Sequence, residues 1–222
     1  MKLLRLVTGA LGAAGLVLLF AAGTARADCN PDTAIYDDDF EFLDGSWGDP
    51  DDHFDVEEGA LTVHDWREQV NFATKNQGAN ICVDTTIADA PGPDASPMGV
   101  IFWWQDWDNY YYAWYWADGS VAVNRILKGK YVSVVSTKSL AVKTGVGQTN
   151  HLELDVRAKD ATLFINGTQV TRFRGVQPKD GGVVGIIAYS ADNKPGIYKW
   201  DNFIVSEPGD TAGGPSETPS GQ

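Results

Sequence analysis

Beyond residue 34 the chain is written in short runs where apolar and polar positions alternate, each closed by glycine, proline, asparagine or aspartate. No window carries a helical period. The runs Ile35–Leu43, Phe54–Val56, Ala60–His64, Val70–Thr74, Asn80–Ala88, Met98–Gln105 and Tyr110–Trp116 predict strands. So do Val121–Leu127, Tyr131–Thr137, His151–Ala158, Thr162–Val170, Gly182–Ser190 and Tyr198–Ser206. Short strands at this spacing predict an all-β, antiparallel sandwich or jelly roll whose connections are mostly hairpins. Asp118-Gly119, Gly129-Lys130 and Asn166-Gly167 supply turn residues that tolerate positive φ. Asn166-Gly167-Thr168 also spells a glycosylation sequon, and it reads first as a hairpin turn.

One stretch departs from plain alternation. Ten of the fifteen residues from Phe102 to Trp116 are aromatic, and five of the eight tryptophans lie there. A strand sends successive side chains to opposite faces, so this hairpin must supply rings to both the buried and the open face of a sheet. An exposed aromatic patch marks a binding surface, and flat rings with polar edges suit sugars. A core hairpin with oversized side chains is the competing reading, since aromatic residues favour strands whatever they do.

Lys2 and Arg5, the apolar run Leu11–Ala22 and Ala25-Arg26-Ala27 have the form of a secretory signal peptide, expected over residues 1–27. That run is shorter than the ~20 residues needed to span a bilayer, so no membrane insertion is expected. Residues 28–207 form one expected domain, and the Gly/Pro/Ser-rich residues 208–222 an expected disordered tail. In an oxidising compartment Cys29 and Cys82 most simply form one disulfide; two free thiols are the alternative. The formal charge of −13 argues against nucleic acid and anionic lipid as partners, both of which need a basic surface.

Several motifs follow in an order that resembles the concanavalin A-like lectin/glucanase superfamily. They are Asp39-Phe40, Trp47, Phe54-Asp55-Val56 with Gly59-Ala60-Leu61, Gly99-Val100-Ile101-Phe102, Asp108-Asn109-Tyr110-Tyr111, Leu163-Phe164-Ile165-Asn166-Gly167, Val184-Gly185-Ile186 and Trp200-Asp201-Asn202-Phe203. The similarity runs from about Tyr36 to Glu207 and is greatest to the laminin-G-like and 3-keto-disaccharide hydrolase-like branches. It implies two curved antiparallel sheets, with saccharides bound on a concave face. On that scaffold Phe102, Trp104, Tyr111, Ala113 and Tyr115 are expected in the core. Trp103, Gln105, Tyr110, Tyr112, Trp114 and Trp116 are then expected on the open face. A two-residue turn at Asp118-Gly119 would add Arg125 to that face, and a three-residue turn from Ala117 would add Asn124. The second is favoured because it also buries Val121 and Val123.

Candidate chemistry changes this picture little. Glycosidases of the superfamily carry a Glu-x-Asp-x-x-Glu strand motif, and Glu153-Leu154-Asp155-Val156-Arg157-Ala158 has alanine in place of the third acid. No catalytic residue is assigned. His53, His64 and His151 lack metal-type spacing, and neither a Gly-x-Ser-x-Gly elbow nor a phosphate-binding loop occurs. Asp37-Asp38-Asp39, Asp44 and Asp201 could meet where the first and last strands pair, so Asp39 and Asp201 are candidate ligands of a structural calcium. No cofactor is otherwise required. The expected function is non-covalent binding of a poly- or oligosaccharide, with a glycoside or keto-disaccharide hydrolase and an adhesive, protein-binding module as alternatives.

Overall fold

The computed structural model describes residues 29–92, 96–191 and 195–208; the expected signal peptide and the expected tail beyond Pro208 lie outside them. The described residues form strands β1 (Ala34–Asp38), β2 (Phe54–Glu57), β3 (Ala60–His64), β4 (Arg67–Asn76), β5 (Gly78–Asp89), β6 (Met98–Asp106) and β7 (Asn109–Tyr115). They continue as β8 (Ser120–Leu127), β9 (Lys130–Lys138), β10 (Thr149–Arg157), β11 (Asp160–Ile165), β12 (Thr168–Arg174), β13 (Gly182–Ala188) and β14 (Ile197–Ser206). No described helix is long and apolar enough to cross a membrane.

Two antiparallel sheets pack face to face. One has the order β12-β11-β10-β5-β14-β3-β2, with β1 paired to the second half of β14; the other is β4-β13-β6-β7-β8-β9. The core between them follows the period of two. Ala79, Ile81, Val83 and Ile87 of β5, Leu152, Leu154 and Val156 of β10, and Tyr111, Ala113 and Tyr115 of β7 all point inward. Two buried polar handles cross from sheet to sheet. Trp200 Nε1 donates to the Gly99 carbonyl at 3.1 Å, and the Tyr115 hydroxyl donates to the Thr85 carbonyl at 3.2 Å. Each lets a large ring be buried without leaving its polar atom unsatisfied.

The opening segment is shorter in strand than its sequence predicts. β1 stops at Asp38 because Phe40 takes a left-handed φ of 53° and turns its ring into the core. Asp38 holds that corner by accepting from the Phe40 amide, the Tyr36 hydroxyl and Trp47 Nε1. Asp44 caps the following 3₁₀ turn through the Ser46 amide. The Cys29–Cys82 disulfide forms, with Cα atoms 6.1 Å apart, and ties the described N-terminus to β5. Closing a 53-residue separation removes about 4 kcal/mol of chain entropy from the unfolded state. The Asn166-Gly167 turn joins β11 to β12 with both residues at positive φ, and the Asn166 side chain bonds Ala141, Asn150 and the His151 amide.

On the outer face of the eight-stranded sheet Asp84 accepts from His151 Nδ1 at 2.7 Å and from Asn202 Nδ2 at 3.0 Å. The His151 contact, more than any other, holds the Asp84 carboxyl below the usual range. A carboxyl lowered on folding stabilises the native state above its unfolded pKa of about 3.9, and that contribution is lost as pH falls through the lower folded value. Wild type should therefore exceed Asp84→Asn in stability at pH 5 by on the order of 1 kcal/mol, allowing for solvent screening. Urea melts at a series of pH values should show the gap closing below pH ~4. A gap that persists unchanged at pH 2 would remove this role for the carboxylate.

Candidate functional site

The aromatic hairpin is β6 and β7, and its geometry turns on an irregularity in β6. Phe102 pairs with Tyr111 and Asp106 with Asn109, so residues 103–105 oppose Tyr110 alone. This is a β-bulge, and Trp103 sits in it at a φ of +50°. The extra length sends both Phe102 and Trp103 into the core. Trp103 is 3% exposed and packs against Phe102 and Tyr111. Two glycines make room for it. A Cβ on Gly175 would run into its ring, and one on Gly182 would stand 2.7 Å from its Cα. The expected faces of β6 are thus corrected: Trp103 belongs to the core, and Trp104 takes its place on the open side.

There Trp104 joins a continuous ladder of rings. Phe72 of β4, Trp104, Trp107 in the β6–β7 turn, Tyr110, Tyr112 and Trp114 of β7, and Trp116 just beyond it follow one another with centroids 4.7–6.0 Å apart. All but the Tyr110–Tyr112 pair are edge-to-face, the arrangement that the ring quadrupole favours. Tyr110 and Tyr112, each 5% exposed, support the ladder from below. Trp107 (48%) and Phe72 (66%) offer open ring surface, as does Tyr131 (62%) of β9; Trp104, Trp114 and Trp116 are partly exposed. From Tyr110 to Trp116 the strip is about 20 Å long.

Polar groups fix the rings. The β7–β8 turn has three residues, Ala117 to Gly119, with Trp116 and Ser120 hydrogen-bonded across it. Asn124 therefore lies opposite Tyr112 on the open face, while Val121 and Val123 are buried in the core. With its amide oriented so that the carbonyl accepts from Trp114 Nε1 (3.2 Å), the Asn124 NH₂ donates to the Tyr131 hydroxyl (2.8 Å). The opposite orientation would leave the indole N–H facing another donor. Asn124 is buried and serves as a brace for Trp114. Gln105 is exposed at a cleft of about 390 Å³ shared with Phe72, Lys75, Trp104 and Asp180.

One carboxylate enters this surface. Both oxygens of Glu68, on β4, lie 3.0 Å from the Tyr110 hydroxyl, which donates to them. β13 and β6 run between the two residues, and Tyr110 lies four residues along β7 from Trp114, which shares the row of Glu68, so the diagonal between them in a flat sheet is about 19 Å. Side chains of this length meet across it only where the sheet curls inward, so the open face is concave along this line. Gly185, on the open face of β13 between them, and Gly99, in the row that joins Glu68 to Trp114, permit that curl. A Cβ on either would run into the backbone of the neighbouring strand. Burial raises the Glu68 carboxyl above its ordinary range, against the Tyr110 hydrogen bond. Burial, with the Glu68 charge behind it, also pushes the Tyr110 hydroxyl well above the ordinary phenol range. Glu68 has a sequence signal, the alternation Glu68, Val70, Phe72, which a strand read from Val70 misses.

The other candidates lie elsewhere. Glu153 and Asp155 are on the outer face of the eight-stranded sheet, opposite Cys82 and Asn80, with the sandwich between them and the rings. Glu153 is buried and not solvent-facing, and Asp155 pairs with Arg157. Asp39 and Asp201 come close enough for Asp39 to raise the Asp201 carboxyl, after burial and the charge of Asp84. Among the described residues, however, no three acid, imidazole or thiol groups converge to hold a metal ion.

No protein-family model matches the chain, and no curated protein matches it in sequence. Solved structures match in fold. A carbohydrate-binding module, CBM66 of Bacillus subtilis, is 14% identical with a TM-score of 0.51, over 69% of this chain and 85% of that one. The catalytic domain of an endo-1,3-β-glucanase (laminarinase) of Thermotoga petrophila is 9% identical, TM-score 0.57, over 80% and 98%. The GH43 protein BlXynB of Bacillus licheniformis is 14% identical, TM-score 0.55, over 77% of this chain and 39% of that one. The fold is the concanavalin A-like jelly-roll sandwich that the motifs resemble.

The bulge separates the two neighbouring tryptophans by their effect on stability. Trp103→Ala empties a core site and should cost about 3–5 kcal/mol in urea unfolding, whereas Trp104→Ala should cost about 1–2 kcal/mol. Equal losses, or a larger loss at Trp104, would contradict the assignment of faces.

Proposed function

We propose that this is an exported protein that binds a poly- or oligosaccharide, without cofactor or covalent chemistry, on the concave face of its six-stranded sheet. The observation that carries the reading is the ring ladder with open surface on Trp107, Phe72 and Tyr131. A soluble domain gains nothing in stability from leaving such rings exposed, and pyranose faces are ligands that cover them. The fold neighbours whose names include a carbohydrate-binding module and a glucanase support the reading. The disulfide and the N-terminal sequence pattern support export. Stacking on Trp107, Trp114 and Trp116 would supply affinity, and Gln105 with the β9 serines Ser133 and Ser136 would meet hydroxyls.

Hydrolysis is the second reading, favoured by Glu68, a half-buried acid beside the rings. Glycoside hydrolysis ordinarily uses two carboxyl groups, about 5 Å apart in retaining enzymes and wider in inverting ones. Burial raises the Glu68 carboxyl against the Tyr110 hydrogen bond, and Asp51, Asp52 and Asp65 line the adjoining cleft.

A glycan array of residues 28–222, with and without calcium, should show binding without breakdown products. Trp107→Ala and Trp114→Ala should each weaken the best hit about tenfold or more in calorimetry, with the thermal melt nearly unchanged in Trp107→Ala and a stability loss of about 1–2 kcal/mol in Trp114→Ala. Product release from a hit would move the assignment to hydrolase. A blank array would favour a protein-binding module.

A further inference from the structure

The charges around the ring ladder are unevenly placed, and their pattern bears on which glycans the face admits. On the open face Glu68 lies beside Val70 of its own strand, shares a row with Ile187, Gly99 and Trp114, and holds the Tyr110 hydroxyl, and none of these is charged at neutral pH. Glu68 is half-buried, and among the described residues no cation pairs with it. An acid in that position costs stability, as its raised pKa reflects, and acids of this kind gather at functional sites. Its surroundings do not relieve it. A cleft of about 580 Å³ adjoins the ring face at Glu68 and is lined by Asp51, Asp52, Asp65, Trp66 and Arg67, with His53 and His64. The one guanidinium there is engaged by Asp51 at 2.7 Å and stacks on Phe54. The far rim, at Phe72, balances Lys75 and Lys179 against Asp106 and Asp180.

We propose that Glu68 sets the charge of the ligand: the ring face takes uncharged or amino sugars and rejects glycans carrying carboxylate or sulfate. This rests on the glycan-binding reading of the same face. A carboxylate is an acceptor with room for more than one donor, so with Tyr110 on one side it takes sugar hydroxyls, or an ammonium, on the other. An anionic sugar stacked on the neighbouring rings brings a like charge toward Glu68 across a poorly hydrated surface, where repulsion is weakly screened.

The test compares each neutral oligosaccharide that binds, from a panel of β-glucans, xylans, mannans and chitosan oligomers, with a uronate form. For the hexose chains that form is made by oxidising C6. Calorimetry at pH 7 on the wild type should give at least a tenfold preference for the parent sugar over its uronate. In Glu68→Gln that ratio should fall severalfold, with parent affinity changed by only a few-fold and the melting temperature equal or higher. Equal binding of parent and uronate by wild type overturns the inference, and so does a ratio that Glu68→Gln leaves unchanged. Both outcomes leave the glycan reading standing. Failure of every member of the panel to bind removes that reading and the inference with it.

Discussion

The bulge at Trp103 is the constraint on which the surface depends. A regular β6 would send Phe102 and Trp104 inward and leave Trp103 outside. The irregularity places two successive rings in the core and returns Trp104 to the open side, between Phe72 of β4 and Trp107 of the turn. Without that placement the β7 rings and Phe72 would be separate patches. The cost is visible. Trp103 holds a left-handed backbone that bulky residues rarely adopt, of order 1–3 kcal/mol, and among the described residues its buried indole N–H finds no acceptor. Gly175 and Gly182 are the accommodation, since any side chain at either would collide with Trp103.

That device explains what was legible in the sequence. Alternation assigns β7 in full, because Tyr111, Ala113 and Tyr115 face the core while Tyr110, Tyr112 and Trp114 do not. The choice of a three-residue turn then carries the register into β8 and places Asn124 opposite Tyr112. Alternation fails on β6, where residues 102–104 are all aromatic and a shift of one position replaces a ring with a ring. No polar residue marks the slip. Exposure was less legible than face. Tyr112 and Asn124 are on the predicted side yet covered, whereas Trp107, read as part of a turn, presents nearly half its surface. The aspartates of the opening segment read as a calcium corner, but Asp38 and Asp44 are occupied by backbone amides and a tryptophan N–H that lie within ten residues of them.

The ladder is pre-organised. Edge-to-face neighbours restrict one another's rotation, and Asn124 locks Trp114 to Tyr131 by hydrogen bonds that an isolated indole would have to find in water. A ligand that lands on rings already fixed loses less to ordering the surface, which is the main route by which a shallow site gains affinity. The same fixation limits what the surface can do. Rings packed edge to face keep only part of each face free, so contact is spread over several partial platforms, which suits an extended glycan better than a single small sugar.

A half-buried acid beside the rings suits the selective role proposed for it. Displacement at a glycosidic carbon needs one group to protonate the leaving oxygen and another to deliver or stabilise the attack, and like-charged carboxyls at that spacing raise one another's pKa. Burial raises the Glu68 carboxyl, and the Tyr110 hydroxyl donates to both of its oxygens. Asp84 beside His151 and Asp201 beside Asp84 lie on the outer face of the other sheet, where they bear on stability. On the six-stranded sheet Asp51 is paired with Arg67 of β4 and Asp118 with Lys138 of β9. On the reading proposed above, the negative charge beside those rings would refuse by repulsion anionic ligands that the rings alone would accept by contact.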